Sequence, residues 1–240
     1  MYFIGSGSLL SQAVNHCLAY GIVVDGVCCP PKTPVCKRLR KKGVTILESL
    51  DPNLDRALIE EKCSDGVIFS INNKYILGDD MLGSGIRFYN IHNGLVQEYR
   101  GIAEVCLFAA LCMGDDNYGV TLQRLLPAQD VDAGPVVSQL SFGINSEDVF
   151  SNVFQKSLRF CQEIFELNVN AILSDVAPAV AVDTAVTVCG YNDVVKLGIA
   201  ALPERLQRAS DLGYYSVILP KLQAKINLIS STNRRVIPKI

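Results

Sequence analysis

Asn90 and His92 are the residues of this chain best placed, by type and spacing, to do chemistry. They lie in the run Phe88-Tyr89-Asn90-Ile91-His92-Asn93-Gly94, which is followed by Tyr99-Arg100-Gly101. His92 is one of only two histidines in 240 residues, so an imidazole here is not a matter of abundance. The apolar run reads as a buried strand. Strand alternation puts residues i and i+2 on one face, so Asn90 and His92 point the same way where the strand opens into a loop. Open α/β sheets bind ligands at the carboxyl ends of their strands. An amide donates a hydrogen bond of fixed charge, and an imidazole can become cationic near neutral pH. Together they suit acyl transfer, in which negative charge develops on a carbonyl oxygen. The plain alternative is a histidine satisfied within the structure.

A carboxylate completes the set. Gly119-Val120-Thr121 begins a later strand, and Asp130-Val131-Asp132-Ala133-Gly134 follows it in a turn-forming stretch. That loop can return Asp132 to the same sheet edge, where it would orient and charge the imidazole. Metal binding is the weaker reading, because two histidines and no paired cysteine spacing make a poor ligand set.

These groups need a sheet to hold them. Met1 to Ile4, Ile22 to Cys28, Val44 to Leu47, Gly66 to Ser70, Ile86 to His92, Gly119 to Leu126 and Val136 to Leu140 read as strands. Helices are expected over Leu9 to Tyr20, up to Lys42 after the prolines, Leu54 to Lys62, Ile102 to Met113 and Glu147 to about Leu173. Alternation at this spacing predicts right-handed crossovers and a mainly parallel sheet flanked by helices. Proline and alanine near Asp175 to Ala185 mark a boundary, giving residues 1–175 as the main domain and 176–240 as a small C-terminal subdomain. In that tail Tyr215 to Leu219 reads as an exposed strand able to pair with another copy.

With 49% apolar residues the chain can bury one full-sized core with a small addition. Its net charge of −2 leaves no global basic field for nucleic acid. Nine cysteines without a C-x-x-C pair suggest reduced, mostly buried thiols and a cytoplasmic protein. No apolar run approaches the roughly 20 residues of a membrane helix, and no signal peptide is expected.

Three other features have ordinary explanations beside sharper ones. Gly5-Ser6-Gly7-Ser8-Leu9-Leu10 holds the first two glycines of a dinucleotide fingerprint, with Leu10 in place of the third. It is a tight turn first and a phosphate cradle second. Lys37-Arg38-Leu39-Arg40-Lys41-Lys42 puts five basic residues into six positions, a solvated helix face or a docking patch for an anionic partner. His16 reads as a structural or exposed helix residue.

Taken together, the motifs resemble those of the formyltransferases that use 10-formyltetrahydrofolate. Asn90-Ile91-His92 matches the family's Asn-x-His, and Tyr99-Arg100-Gly101 its downstream aromatic-basic-glycine. Gly119-Val120-Thr121 matches its Gly-Val-Thr, and Asp130-Val131-Asp132-Ala133-Gly134 its aspartate loop. Order and spacing agree over residues 1 to about 170. The resemblance implies a Rossmann-like α/β formyltransferase fold and three catalytic residues, Asn90, His92 and Asp132. It implies a folate slot lined by Tyr75, Ile76 and Leu77, with the Ala128-to-Asp132 loop, including Asp130 and Val131, opposite. Gly7, Ser8, Asn93, Gly94 and Arg100 are the implied substrate contacts. No metal is implied.

The departures bear on the acceptor. Where the family usually has Pro-Ser after the histidine and a proline before the aromatic, this chain has Asn93-Gly94 and Gln97. Such variants resemble members that formylate small metabolites, and the stretch from Phe3 to Gln12 resembles formyltransferase-like modules of peptide and polyketide assembly lines. The expected substrate is the primary amine of a small molecule, an amino sugar nucleotide or an amino acid or carrier-bound amine of secondary metabolism. A carrier protein or synthetase module is then a possible partner, with no nucleic acid and no membrane. Initiator tRNA is disfavoured by the shorter chain and the lack of a large basic C-terminal half. A purine-type ribonucleotide formyltransferase is the alternative, weakened by Leu9 where that branch carries asparagine. Formyl-folate hydrolysis is disfavoured because those enzymes carry an added N-terminal regulatory domain. A non-catalytic folate-binding module and a nucleotide-dependent oxidoreductase complete the rivals.

Overall fold

The computed structural model describes residues 1–183, 186 and 188–235, with side chains described through residue 230. The first half alternates strands and helices: β1 (Tyr2–Gly5), α1 (Gly7–Ala19), β2 (Gly26–Cys29), α2 (Pro34–Arg40), β3 (Ile46–Glu48), α3 (Arg56–Lys62), β4 (Val67–Ile71), α4 (Asp79–Leu82), a short helix the sequence did not predict, and β5 (Arg87–His92). There follow β6 (Arg100–Gly101), α5 (Ala103–Met113), β7 (Asn117–Leu125), β8 (Val136–Gly143) and α6 (Phe150–Leu173). The chain ends in β9 (Val188–Cys189), α7 (Asp193–Ala200), α8 (Pro203–Ser210), α9 (Tyr215–Ile218) and α10 (Pro220–Arg235).

The large sheet has seven strands in the order β3-β2-β1-β4-β5-β7-β8. Its first five strands are parallel, and β7 pairs antiparallel with β5. Parallel strands covered on both faces should be apolar throughout, and the β1, β2 and β4 side chains are all buried.

Contacts group the chain into two units. The first comprises Met1–His92, Thr121–Gln139 and Cys161–Val182; the second comprises Asn93–Val120, Leu140–Phe160 and the described residues from Asp183 on. The units interleave along the chain. In the first unit one sheet face packs Tyr2, Ile4, Ile68 and Phe88 with Ile59, Leu77 and Met81. On the other, Phe3 stacks on Phe69, Phe69 on Tyr89, and Phe165 of α6 meets Phe69 edge-on. In the second unit α5 is buried on all sides from Val105 to Cys112, packed with Phe150, Phe154, Leu212 and Ile226. A helix apolar all round belongs in a core.

Two expectations are corrected. Tyr215 to Leu219 is not a strand: Tyr215–Ile218 is a short helix. A five-residue aromatic and β-branched run cannot by itself distinguish strand from helix, and here Leu212 and Leu222, both in the core, bracket a helical segment. Nor are all thiols reduced. Cys29 and Cys36 form a disulfide, because α2 turns back after the prolines and brings their Cα atoms to 6.8 Å, within bridging range. The other seven cysteines are thiols, five of them buried.

No helix among the described residues is long and apolar enough to cross a membrane. The basic stretch lies on and just after α2 with Leu39 buried; Arg40 pairs with Glu48 at 2.7 Å and Lys42 donates to Asn15 at 2.6 Å.

Candidate active site

β5 sets two of the three polar residues. It is held by β4 on one side, with Ser70 opposite Asn90, and by β7 on the other, with Asn90 opposite Gln123 and His92 opposite Thr121. Asn90, His92, Thr121 and Gln123 therefore share one face at one end of the strand pair, since directly opposed residues point the same way. His92, Thr121 and Gln123 are at most 5% exposed.

Asp132 reaches this face from the loop after β7. His92 Nδ1 lies 3.3 Å from Asp132 Oδ2. Gln123 Nε2 donates to Asp132 Oδ1 at 2.9 Å, and Asn90 Nδ2 approaches the same oxygen at 3.4 Å. The carboxylate is thus paired and bonded, as a buried charge must be. A carboxylate at Nδ1 selects the tautomer in which Nδ1 carries the proton, leaving Nε2 for a reactant. Gln139 donates to the Thr121 hydroxyl at 2.9 Å and extends the polar strip onto β8.

The backbone of that loop is held unusually. Asp132 has φ 53° and Ala128 φ 56°, both left-handed. Aspartate enters this region more readily than most residues. A Cβ on Gly134 would lie 1.9 Å from the Arg124 carbonyl oxygen, so only glycine lets the loop fold back onto β7. The Arg124 N–H donates to the Pro135 carbonyl at 2.9 Å, and the Ala128 N–H donates to Asp79 of α4 at 2.8 Å. Backbone and side-chain bonds together thus hold the loop that carries the carboxylate.

The structure brings Asn90, His92 and Asp132 together. Asp130 and Val131 lie on the same loop with exposed side chains. Tyr75 and Ile76 are 38% and 76% exposed, whereas Leu77 is 7% exposed and belongs to the core. Of the three, only Tyr75 and Ile76 present apolar surface outward. Gly7 and Ser8 open α1, and Ser8 is exposed. The preceding turn is fixed because a Cβ on Gly5 would meet the Ile71 carbonyl oxygen at 1.9 Å, and Ser6 and Asn72 exchange hydrogen bonds at 3.2 and 3.3 Å.

The remaining sequence candidates fall in the second unit. Asn93 is buried; its amide donates to Ser157 at 2.9 Å and its backbone carbonyl accepts from Tyr118 at 2.7 Å. Gly94 follows in a bend. Arg100 is 5% exposed in β6, which pairs with β9. Tyr99 donates to the Asp115 carboxylate, and burial together with that charge holds its hydroxyl well above the usual phenol range. Sequence reasoning passed over Gln123. A signal for it exists: Thr121 and Gln123 are polar at i and i+2, on the face of β7 opposite to Val120 and Leu122.

No protein-family model matches the chain. The methionyl-tRNA formyltransferase of Thermotoga sp. (strain RQ2) is 25% identical over 176 residues, covering 68% of this chain and 55% of that protein. The chain therefore spans about half the length of the curated relatives it matches. A sugar N-formyltransferase from Shewanella sp FDAARGOS_354 shares the fold with a TM-score of 0.71 at 16% identity, covering 87% of both chains. The chain is similar to the formyltransferases in sequence and in fold. Its fold is theirs, as a second solved structure also shows: the N-formyltransferase from Helicobacter canadensis, in complex with folinic acid and dTDP-3-aminofucose, aligns with a TM-score of 0.60 and 14% identity over 77% of this chain and 67% of that one.

Proposed function

We propose that this formyltransferase relative moves a formyl group from 10-formyltetrahydrofolate to the primary amine of a small metabolite, a nucleotide-linked amino sugar before others. The observation that carries the reading is the Asn90–His92–Asp132 cluster, with Asp132 fixed on Nδ1 of the imidazole and an amide beside it. The preference for an amino sugar rests on the sugar N-formyltransferase similar in fold over 87% of this chain.

The chain has residues suited to the folate. Tyr75 and Ile76 offer exposed apolar side chains for a flat ring, and the loop of Asp130 and Val131 is braced by the bond between Ala128 and Asp79. The bound folate supplies an electrophilic formyl carbon. Everything else falls to the protein. A neutral amine attacks that carbon, and its oxygen gains negative charge. Nε2 of a cationic His92 and the Asn90 amide donate to that oxygen. Asp132 keeps the imidazole oriented. The proton leaving the amine passes through the same pair to the departing folate nitrogen.

The test is tetrahydrofolate release from 10-formyltetrahydrofolate with a panel of amines: nucleotide-linked amino sugars, glycinamide ribonucleotide, carrier-bound aminoacyl groups and methionyl-tRNA. Release with a nucleotide-linked amino sugar supports the reading in full. Release only with the ribonucleotide, the carrier or the tRNA keeps the chemistry and replaces the acceptor. Folate binding without release under any acceptor leaves a binding module.

A further inference from the structure

Gln123 is fully buried, at 0% exposure, two residues before the end of β7. Its amide donates to Asp132 Oδ1 at 2.9 Å, which makes it the shorter of the two amide contacts on that oxygen, against 3.4 Å for Asn90. Its own carbonyl oxygen is buried with no hydrogen-bond partner. A buried acceptor without a donor opposes folding, so an apolar side chain of similar length would suit this strand interior better. The cost is offset at one place only, where a fixed amide meets a charged oxygen, and bonds to a charged acceptor are the strong ones.

The two oxygens of the carboxylate do different things. Oδ2 faces the imidazole at 3.3 Å, and Oδ1 takes the amides. Fixing Oδ1 fixes the rotation of the carboxylate, and that rotation sets where the imidazole points. Asn90 is poorly placed to fix it, because its bond is long and its amide is the one assigned to the reacting oxygen. We propose that Gln123 is a positioning residue, which clamps Asp132 so that Asn90 is released to the formyl oxygen and His92 is aimed at it. The proposal rests on the formyl-transfer reading of this cluster.

The experiment uses the whole chain. In Gln123→Met, size is kept and the donor removed. The expectation is a fall in kcat of about 10- to 100-fold, the usual consequence of a small misplacement of reacting groups. KM for both the folate and the amine should stay within about twofold, because no substrate contact is lost. Gln123→Asn, which keeps the amide but draws it back, should fall likewise, and it serves if the Met variant does not fold. Gln123→His keeps a donor and should recover most of the rate. An independent readout is the ring-nitrogen NMR signal of His92 in a His16→Gln background, where it is the only imidazole. Its Nδ1–H resonance should be sharp with Gln123 in place and broadened in the Gln123→Met variant, where the carboxylate loses its clamp. Unchanged kcat with an unchanged His92 signal overturns the proposal, as does a raised KM with unchanged kcat. Should no amine be formylated by the wild-type chain, the functional reading fails, and the clamp is judged on the His92 signal alone.

Discussion

His92 and Asn90 have separable duties if the cluster works as a charge-stabilising pair. His92→Ala removes a donor to the developing negative charge and also the proton carrier. Asn90→Ala removes only a donor. Loss of one such donor typically costs about 100- to 1000-fold in turnover, so Asn90→Ala should fall in that range and His92→Ala at its severe end or beyond. Both variants should keep a cooperative melt and a native far-UV spectrum, since the surrounding strand pairs are untouched. Turnover of the His92 variant near wild type would remove the imidazole from the mechanism. The pair was legible in the sequence because its spacing and the strand period coincide. Gln123 was not, because a strand amide acquires meaning only once a loop residue from nine positions downstream lands on it.

At the scale of elements, the loop from Ala128 to Gly134 does the positioning. Gly134→Ala places a methyl carbon 1.9 Å from a backbone oxygen that cannot swing aside. The loop must lift, and Asp132 lifts with it. We expect a stability loss of about 1 to 3 kcal/mol and a fall in kcat larger than the change in either KM, read by thermal melting and steady-state kinetics together. A kinetic profile like that of wild type would show that the loop does not set Asp132. The strands and helices of the first half, apart from the one-turn α4, were readable from alternation and punctuation, within a few residues at their ends. Tyr215–Ile218 was not, because four or five residues carry no period, and the contacts that make it helical come from either side of it.

At the scale of the molecule, the interleaving of two units was beyond the sequence, because composition marks a boundary along the chain and not a return across it. A charge pair offers a test of stability remote from the cluster. Burial works against the Asp25 carboxylate, but the Met1 ammonium at 2.8 Å and the Ser64 N–H at 3.0 Å outweigh it and hold the group below its ordinary 3.8. A depressed carboxylate stabilises the fold above its unfolded value and loses that contribution as pH falls through the folded one. The gap in melting temperature between wild type and Asp25→Asn should therefore be largest near neutrality and close progressively below about pH 3.8; a gap that stays constant down to acid would deny the ion pair its role.

The left-handed backbone of Asp132 has a further consequence for what variation this codon can carry. Two independent filters meet there. The backbone admits glycine, asparagine and aspartate with least strain, and the imidazole requires an anion. Glutamate passes the second filter and is strained by the first; asparagine passes the first and fails the second. In a library saturated at position 132 and sorted for folded protein, glycine and asparagine should be enriched beside aspartate. Sorted again for turnover, the same library should collapse to a single amino acid.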